Sequence, residues 1–377
     1  MKTFHCQYCG HPVFFENVTC LRCESALAFL PDRMNMAAIE PVPKQDGLWR
    51  PRTRARRRNS TSHYRMCHNH DTWQSCNFAV PAADANPLCA SCRLTRILPD
   101  LSLPENQQRW YRIEVAKRRL FYSLAKLGLL SPTPADGEPD GPVFEFMADV
   151  PGQSVMTGHC NGVITLNVAE ADDEERVRRR VALHEPYRTL LGHFRHESGH
   201  YYWDRLVADS GRQESYREIF GDETQDYGAA LQAYYANGGA ADWRDRSVSV
   251  YATAHPWEDW AETWAHYLHM VDLLETAASY NTHISLRDDE EAEEVTNPFE
   301  TGMPNFETLV EQWVPVTLLV NSLNRSLGQE DAYPFALSVG ALTKLRYVHD
   351  LIRDVKANGM HKPVAGNESA CVQETAV

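Results

Sequence analysis

The sequence contains no long hydrophobic run. No stretch of 18 or more consecutive apolar residues occurs in its 377 residues, so the sequence predicts no membrane-spanning helix. The first ten residues, MKTFHCQYCG, contain one lysine without an apolar segment behind it, which is not the pattern of a secretory signal peptide. We therefore expect a cytoplasmic protein, in a reducing compartment where close cysteine pairs more often bind metal than form disulfides.

The sequence also contains fewer basic residues than acidic ones. The 37 lysines and arginines stand against 51 acidic residues, and the net charge of -14 argues against a general nucleic-acid-binding protein. The charge is uneven, because residues 49–58 (WRPRTRARRR) carry six arginines and residues 287–294 (RDDEEAEE) carry six acids. Such runs are typical of solvated or mobile segments; the alternative for the arginines is an electrostatic contact with nucleic acid or an acidic partner.

The first cysteine group has the spacing C-x2-C-x10-C-x2-C and consists of Cys6, Cys9, Cys20 and Cys23. Each C-x2-C knuckle places two thiolates on one side of a tight turn, and two knuckles complete a tetrahedral zinc site. Gly10 follows the first knuckle at a position that favours the left-handed backbone conformation. A closed site with four cysteine ligands predicts a structural zinc ion and no chemistry.

A second cysteine group has the spacing C-x8-C-x12-C-x2-C and consists of Cys67, Cys76, Cys89 and Cys92. Only one of its ends has the knuckle spacing. We interpret it as a second structural zinc site, with His68 and His70 as alternative ligands. Cys160 and Cys371 stand outside both groups and are interpreted as small apolar residues.

The order of sequence patterns predicts an α+β fold that is mostly helical. Strands are expected at 143–150 and 163–171, with Asn161–Gly162 as a turn, and amphipathic helices fill most of the C-terminal half. The predicted organisation is a zinc ribbon at 1–28, a Pro- and Arg-rich linker at 29–62, a second four-cysteine zinc module at 63–98, a catalytic domain at 105–358 and a tail at 359–377.

The segment GHFRHESGHYYW (192–203) contains the pattern H-E-x-x-H. On a helix, His196 and His200 share a face, so both imidazoles can bind one zinc ion, and Glu197 lies beside it as a candidate general base. Glycine at position 199 costs about 1 kcal/mol relative to alanine in a helix, which predicts that another element approaches closely there. The alternative is an amphipathic helix whose histidines are satisfied in the core.

A third metal ligand is expected from the segment HPWEDWAETWAHYLH (255–269). Glu258, Glu262 and His266 are spaced by four residues and share one face of the predicted helix. The arrangement resembles that of the gluzincin metallopeptidases, which implies Glu258 as the ligand and Glu262 as the acceptor that orients a ligating histidine. Glu262, His255 or His266 as the ligand, and an exposed acidic face without metal, remain alternatives.

In combination these motifs resemble a known family. CQYC…CLRC, CHNHDTWQSC…CASC, LLGHFRHESGHYYW, FGDETQDY and HPWEDWAETWAHYLH resemble the bacterial family called putative zinc-binding metallopeptidases, over residues 1 to about 330. The resemblance implies a zincin-like domain behind small zinc-ribbon modules, zinc as cofactor and hydrolysis of peptide bonds. It also implies that a strand upstream of the metal helix, expected at 163–171, pairs with an extended substrate.

The leading hypothesis is a zinc metallopeptidase with Glu197 as general base, one catalytic zinc ion and one or two structural zinc ions. The transition-state donor is expected among Tyr201, Tyr202, His255 and Tyr267. The alternative is a zinc-ribbon adaptor that binds protein or nucleic acid and keeps a zincin-like domain as a scaffold; a self-processing protease is a third possibility, compatible with the first. The expected partners are a peptide or protein substrate and a protein bound by the zinc-ribbon modules, without a membrane.

Overall fold

The computed structural model of the protein describes residues 1–52, 62–134, 140–182, 189–285, 292–300, 303–360 and 372–373. The strands are β1 Phe4–His5, β2 Pro12–Val13, β3 Ala26–Leu30, β4 Asn35–Pro41, β5 Trp49–Pro51, β6 Tyr64–Met66, β7 Ala79–Pro81, β8 Thr95–Ile97, β9 Val143–Met147, β10 Gly158–Cys160, β11 Val163–Asn167, β12 His283–Ile284, β13 Glu293–Glu294 and β14 Val372–Gln373. The helices are α1 His68–Trp73, α2 Pro104–Leu127, α3 Asp173–Ala182, α4 Leu190–Trp203, α5 Gln213–Phe220, α6 Tyr227–Asn237, α7 Trp243–Arg246, α8 Pro256–Ser279, α9 Phe306–Ser326 and α10 Val339–Asn358.

Helix outweighs strand in this mixed fold, at 47% against 15% of the residues. Within the described ranges, no helix combines the length and the apolar character needed to cross a membrane. Two compact units are present. One contains Met1–Lys126, Leu130–Val155 and Thr165–Asp172, and the other contains Leu127–Leu129, Met156–Ile164 and Asp173–Val377.

The first unit contains an antiparallel sheet in the strand order β3-β4-β5-β6-β7. Leu30, Ala37, Ile39 and Tyr64 are buried in its core. The interpretation of residues 29–62 as a linker is therefore wrong for residues 29–51, which lie largely in β3, β4 and β5. Alanine is depleted in strands, so the two buried alanines of β4 weakened the strand pattern. Residues 53–61, with most of the arginine run, lie outside the described residues.

The second unit is organised around the packing of α4 against α8. A Cβ atom at Gly199 would lie only 2.9 Å from the Cα of Ala261, which confirms the predicted close approach. Trp260 Nε1 donates to the carbonyl of Gly199 at 2.8 Å, and Trp264 Nε1 donates to Ser198 Oγ at 3.1 Å. These contacts fix the register between the helix that carries H-E-x-x-H and the helix that carries Glu258.

The helix α4 begins directly after Thr189. Its N-cap is Thr189, whose Oγ1 accepts a hydrogen bond from the backbone N–H of Gly192 at 2.9 Å. Residues 218–238 do not form one continuous helix, because α5 ends at Phe220 and α6 begins only at Tyr227.

A short hairpin in the second unit brings β10 next to α4. Asn161 and Gly162 connect β10 to β11 with φ values of 48° and 79°, which is typical of a type I′ turn and confirms the turn prediction. The ring of His159 in β10 stacks on that of His200 with centroids 6.3 Å apart. The strand beside the metal helix is therefore β10; the expected 163–171 strand stops at Asn167.

Candidate metal centre

Two groups of cysteine thiols lie in the first unit. Zinc–sulfur bonds of about 2.3 Å in a tetrahedron place the sulfurs about 3.8 Å apart. In the first group, Cys6 Sγ lies 3.8 Å from Cys23 Sγ and Cys9 Sγ lies 3.6 Å from Cys20 Sγ. Gly10 has a φ of 76°, as its position after the knuckle predicts. The separations therefore match a zinc site with four sulfur ligands.

The second group has the same geometry in spite of its irregular spacing. Cys76 Sγ lies 3.8 Å from both Cys89 Sγ and Cys92 Sγ, and Cys67 completes the group. His70 Nδ1 lies 2.8 Å from the carbonyl oxygen of Cys76. Neither His70 nor His68 belongs to the group, so the four thiols form it without the alternative ligands that the sequence left open.

A third group of possible metal ligands lies in the second unit and contains His196, His200 and Glu258. All three residues are buried. Glu258 Oε2 lies 3.0 Å from His196 Nε2, and Glu258 Oε1 lies 3.8 Å from His200 Nε2. Ligands of a tetrahedral zinc ion with bonds of about 2.0–2.1 Å lie about 3.3–3.4 Å apart, so the two separations bracket the expected value.

Glu262 holds His196 in place from the other side of its ring. Glu262 Oε1 lies 2.8 Å from His196 Nδ1, and Ser249 Oγ donates to Glu262 Oε2 at 2.6 Å. Because the carboxylate favours a proton on Nδ1, Nε2, which lies 3.0 Å from Glu258 Oε2, is the nitrogen left to bind a metal ion. Glu262 thus occupies the position expected for the residue that orients a ligating histidine.

The electrostatic field of this group favours a positive charge. Burial opposes protonation of His196, but the carboxylates of Glu258 and Glu262 outweigh it and raise the pKa of His196 well above its usual value. Burial and the charge at His196 lower the pKa of His200 well below its usual value. Burial raises the pKa of Glu262, but His196 outweighs this effect and lowers it to about 2.

These residues fit a zinc ion. Nε2 of His200 is buried and has no hydrogen-bond partner within the described part of the chain, which is costly unless something else binds this atom. Two imidazoles and one carboxylate are the three protein ligands of many catalytic zinc sites, and three ligands leave a fourth position open for water or substrate.

Comparison with known proteins agrees with this donor set. The profile of the family described as "Putative zinc-binding metallo-peptidase" matches residues 106–351. The chain belongs to this family. A zinc-ribbon domain profile matches residues 3–103, which contain both thiol groups. Zinc binding is thus a property of the family as its description states it.

Three relatives of this family member come from mycobacteria. Three proteins named as uncharacterized, one from Mycobacterium bovis and one from each of two Mycobacterium tuberculosis strains, are 40% identical to it over 358 residues. The match covers 94% of this chain and 96% of each relative. No solved structure matches the chain significantly.

Several residues that the sequence suggested as metal ligands or hydrogen-bond donors contact other groups in this family member. His266 Nδ1 lies 2.7 Å from Tyr333 Oη, and the ring nitrogens of His255 contact the backbone of Gln225 and Trp257. Among the acids of residues 221–226, Glu223 pairs with Arg217 and Asp226 caps α6. Among the candidate tyrosine donors, Tyr202 donates to the carbonyl of Leu129 and Tyr267 Oη lies 3.0 Å from His349 Nδ1.

Two residues beside the metal group were not found from the sequence. Tyr227 Oη donates to Glu258 Oε1 at 2.7 Å, and His159 stacks on His200. Burial lowers the pKa of His159 to about 4, so its ring is neutral near pH 7. Tyr227 follows the N-cap of α6, and a lone tyrosine after FGDETQD carries no sequence signal for this contact.

Proposed function

We propose that this protein is a zinc metallopeptidase whose catalytic zinc is bound by His196, His200 and Glu258. The observation that carries the proposal is the buried group of two imidazoles and one carboxylate, drawn from α4 and α8. Glu197, buried on α4 directly after the first histidine, is the general base. We assign the two thiol groups to structural zinc ions, because four thiolates leave no open position.

A zinc ion held by His196, His200 and Glu258 would lower the pKa of a bound water to about 7. Glu197 accepts the proton of the attacking water and passes it to the leaving amine. Tyr227, whose hydroxyl lies 2.7 Å from Glu258 Oε1, is proposed to turn from that oxygen and donate to the developing oxyanion. Glu262 and Ser249 keep the ring of His196 in one orientation throughout.

The proposed organisation follows these roles. Residues 1–28 and 63–98 are zinc modules, residues 105–358 form a zincin-like catalytic domain, and the substrate is a peptide or protein. The two proposed zinc modules need reduced thiolates, so we propose the cytoplasm, a reducing compartment, as the location.

The decisive experiment counts zinc ions per chain and measures peptide hydrolysis on the same preparations. We expect three zinc ions in the wild-type protein and two in His196→Ala/His200→Ala. Glu197→Gln is the matched variant, because it should retain three zinc ions and lose hydrolysis of a fluorogenic peptide library. Equal zinc contents in the wild type and the double-histidine variant would refute the metal assignment. Full activity of Glu197→Gln would refute its role as the base.

A second function, binding of a protein partner through the first thiol module, is favoured by exposed apolar side chains there. Leu21, inside the second knuckle, is 89% exposed, and Phe14 is 59% exposed. Exposed apolar side chains of this size indicate an interaction surface when they form a contiguous patch, whereas single ones are normal on protein surfaces. Leu21→Asp should abolish capture of a partner by the immobilised protein while leaving zinc content unchanged; capture at wild-type level would remove this candidate.

A further inference from the structure

The helix α2 carries three charged side chains that are buried next to one another. Glu114, Lys117 and Arg118 are each at most 2% exposed. Lys117 Nζ donates to Glu114 Oε1 at 2.8 Å, and Arg118 Nη1 lies 3.8 Å from Glu114 Oε2. One carboxylate therefore faces two cations, and the shorter contact belongs to Lys117. The positive charge of Arg118 is left without a matching carboxylate in this cluster.

A buried charge of this kind is costly unless an anion lies close by. Arg118 extends toward the second thiol group, because its Nη1 donates to the carbonyl oxygen of Ser75, directly before Cys76, at 2.7 Å. Burial opposes the charge of Arg118, but Cys76 and then Glu114 outweigh burial, together with two further thiols of the group, and raise the pKa of Arg118. The missing anion is therefore the thiol group itself.

The second thiol group needs such a cation when it holds zinc. A zinc ion with four thiolate ligands has a net charge of about −2, because the four negative charges exceed the charge of the ion by two. All four cysteines of this group are buried, whereas Cys9 and Cys23 of the first group are only partly buried. Water can therefore stabilise the charge of the first group, but the second group depends on neighbouring protein groups.

A second cation near this group already has its own partner. Arg93 follows Cys92 directly, and its guanidinium forms an ion pair with the carboxylate of Asp84. Its Nε also donates to the carbonyl oxygen of Leu88 at 2.8 Å. The charge of Arg93 is thus balanced by Asp84, which leaves Arg118 as the better candidate to balance the thiolates.

We propose that Arg118 is a positioning residue of the second thiol group, whose buried positive charge balances the zinc-bound thiolates and helps to retain the ion. The inference rests on the assignment of a structural zinc ion to this group, and it does not depend on peptide hydrolysis. It also concerns the boundary between modules. The second zinc module, expected to end at residue 98, would depend on a helix that belongs to the expected catalytic domain.

The rate of zinc loss from full-length, zinc-loaded protein tests this role. After EDTA is added, timed samples are alkylated with N-ethylmaleimide and digested, and mass spectrometry identifies the cysteines that have lost zinc. Arg118→Gln keeps an N–H donor for the carbonyl of Ser75 but loses the charge. The cysteines of its second group should be labelled at least about tenfold faster than in the wild type, and those of its first group at the wild-type rate.

Two further variants separate the charge from other effects. Arg118→Lys keeps the positive charge, so its second group should be labelled at a rate closer to the wild type than to Arg118→Gln. Arg119→Met is the matched control, because it removes an equal charge one residue along α2, where Arg119 pairs with Glu16 and is 42% exposed. This control should leave the labelling rate of the second group unchanged.

Several results would overturn the proposal. These are a wild-type labelling rate in Arg118→Gln, equal acceleration in Arg118→Gln and Arg118→Lys, and equal acceleration of both thiol groups in Arg118→Gln. If Arg118→Gln does not fold, Arg118→Lys must still fold and retain its zinc, and early zinc loss from Arg118→Lys would overturn the role of the charge. A second group that is labelled in the wild type before EDTA is added would overturn both the inference and the zinc assignment.

Discussion

Gly199→Ala gives the sharpest test of the packing that positions the metal group. In an exposed helix this change stabilises by about 1 kcal/mol, because alanine has the higher helix propensity. In α4 the new methyl group would lie 2.9 Å from the Cα of Ala261 and 3.2 Å from two atoms of Trp264. Carbon atoms in contact normally lie about 3.5–4.0 Å apart, so α8 would have to move by roughly 0.6–1 Å.

The expected result is a net loss of stability. Overpacking a core typically costs about 1–3 kcal/mol, and the contact with backbone of α8 places Gly199→Ala in the upper part of that range. After the propensity gain, we expect the free energy of unfolding of the second unit to fall by about 1–2 kcal/mol. The same shift would separate Glu258 from His200 and weaken zinc binding.

Urea denaturation followed by tryptophan fluorescence measures this change, with zinc content determined in parallel. Gly228→Ala is the control, because Gly228 is exposed on α6 and its added methyl group would meet only Asp226 Oδ1 at an ordinary 3.5 Å. The control should be neutral or stabilised by up to about 1 kcal/mol. A Gly199→Ala protein as stable as Gly228→Ala, with unchanged zinc content, would refute the argument from close packing.

Three further predictions concern single side chains. Glu262→Gln removes the carboxylate at 2.8 Å from the histidine ring, and zinc affinity measured by competition with a chromogenic chelator should fall about 10–100-fold; an unchanged affinity would contradict the orienting role. Tyr227→Phe should keep its zinc and lose about 100-fold in kcat, and an unchanged kcat would rule Tyr227 out as the oxyanion donor. Burial lowers the pKa of His349 to about 4, so the folded state binds fewer protons than the unfolded state below the usual pKa of about 6.5. The contribution of His349 to the free energy of unfolding is therefore complete above a pH of about 6.5, and at most about 3 kcal/mol is lost as the pH falls toward about 4. Urea titrations at several pH values should show a weaker pH dependence for His349→Gln than for the wild type. An equally steep loss in both proteins would contradict this role of His349.

The metal groups were the most predictable part of the protein, because their residues are close in sequence and constrained by donor chemistry. Four-residue spacing places His196 and His200 on one face of any helix, and the two-residue knuckle spacing of Cys6 and Cys9 suits one turn. The low helix propensity of glycine at position 199 also indicated, from the sequence alone, that another element packs closely there. In each case the local chain geometry decides the outcome.

The features that the sequence did not predict depend on long-range pairing. β4 was missed because its alanines at 37 and 38 have a low strand propensity. Pairing with β3 and β5 places these residues in a sheet, and this pairing is not visible in the local sequence. β10, which lies next to α4, was not predicted, since its three residues are too few for a periodic pattern. The interpretation of Cys160 as a small apolar residue is wrong, because Cys160 is disulfide-bonded, and the spacing of nearby residues gives no sign of such a bond.

The donor atoms described for the two units differ in their sensitivity to oxidants. Peroxide and hypochlorous acid attack thiolates first, and an oxidised cysteine is a poor zinc ligand. The imidazoles of His196 and His200 and the carboxylate of Glu258 are far less reactive toward such oxidants. An oxidative burst would therefore dismantle the thiol groups of the first unit and leave the group between α4 and α8 chemically intact. Damage of that kind would disrupt the two N-terminal thiol groups before it altered the proposed hydrolytic centre.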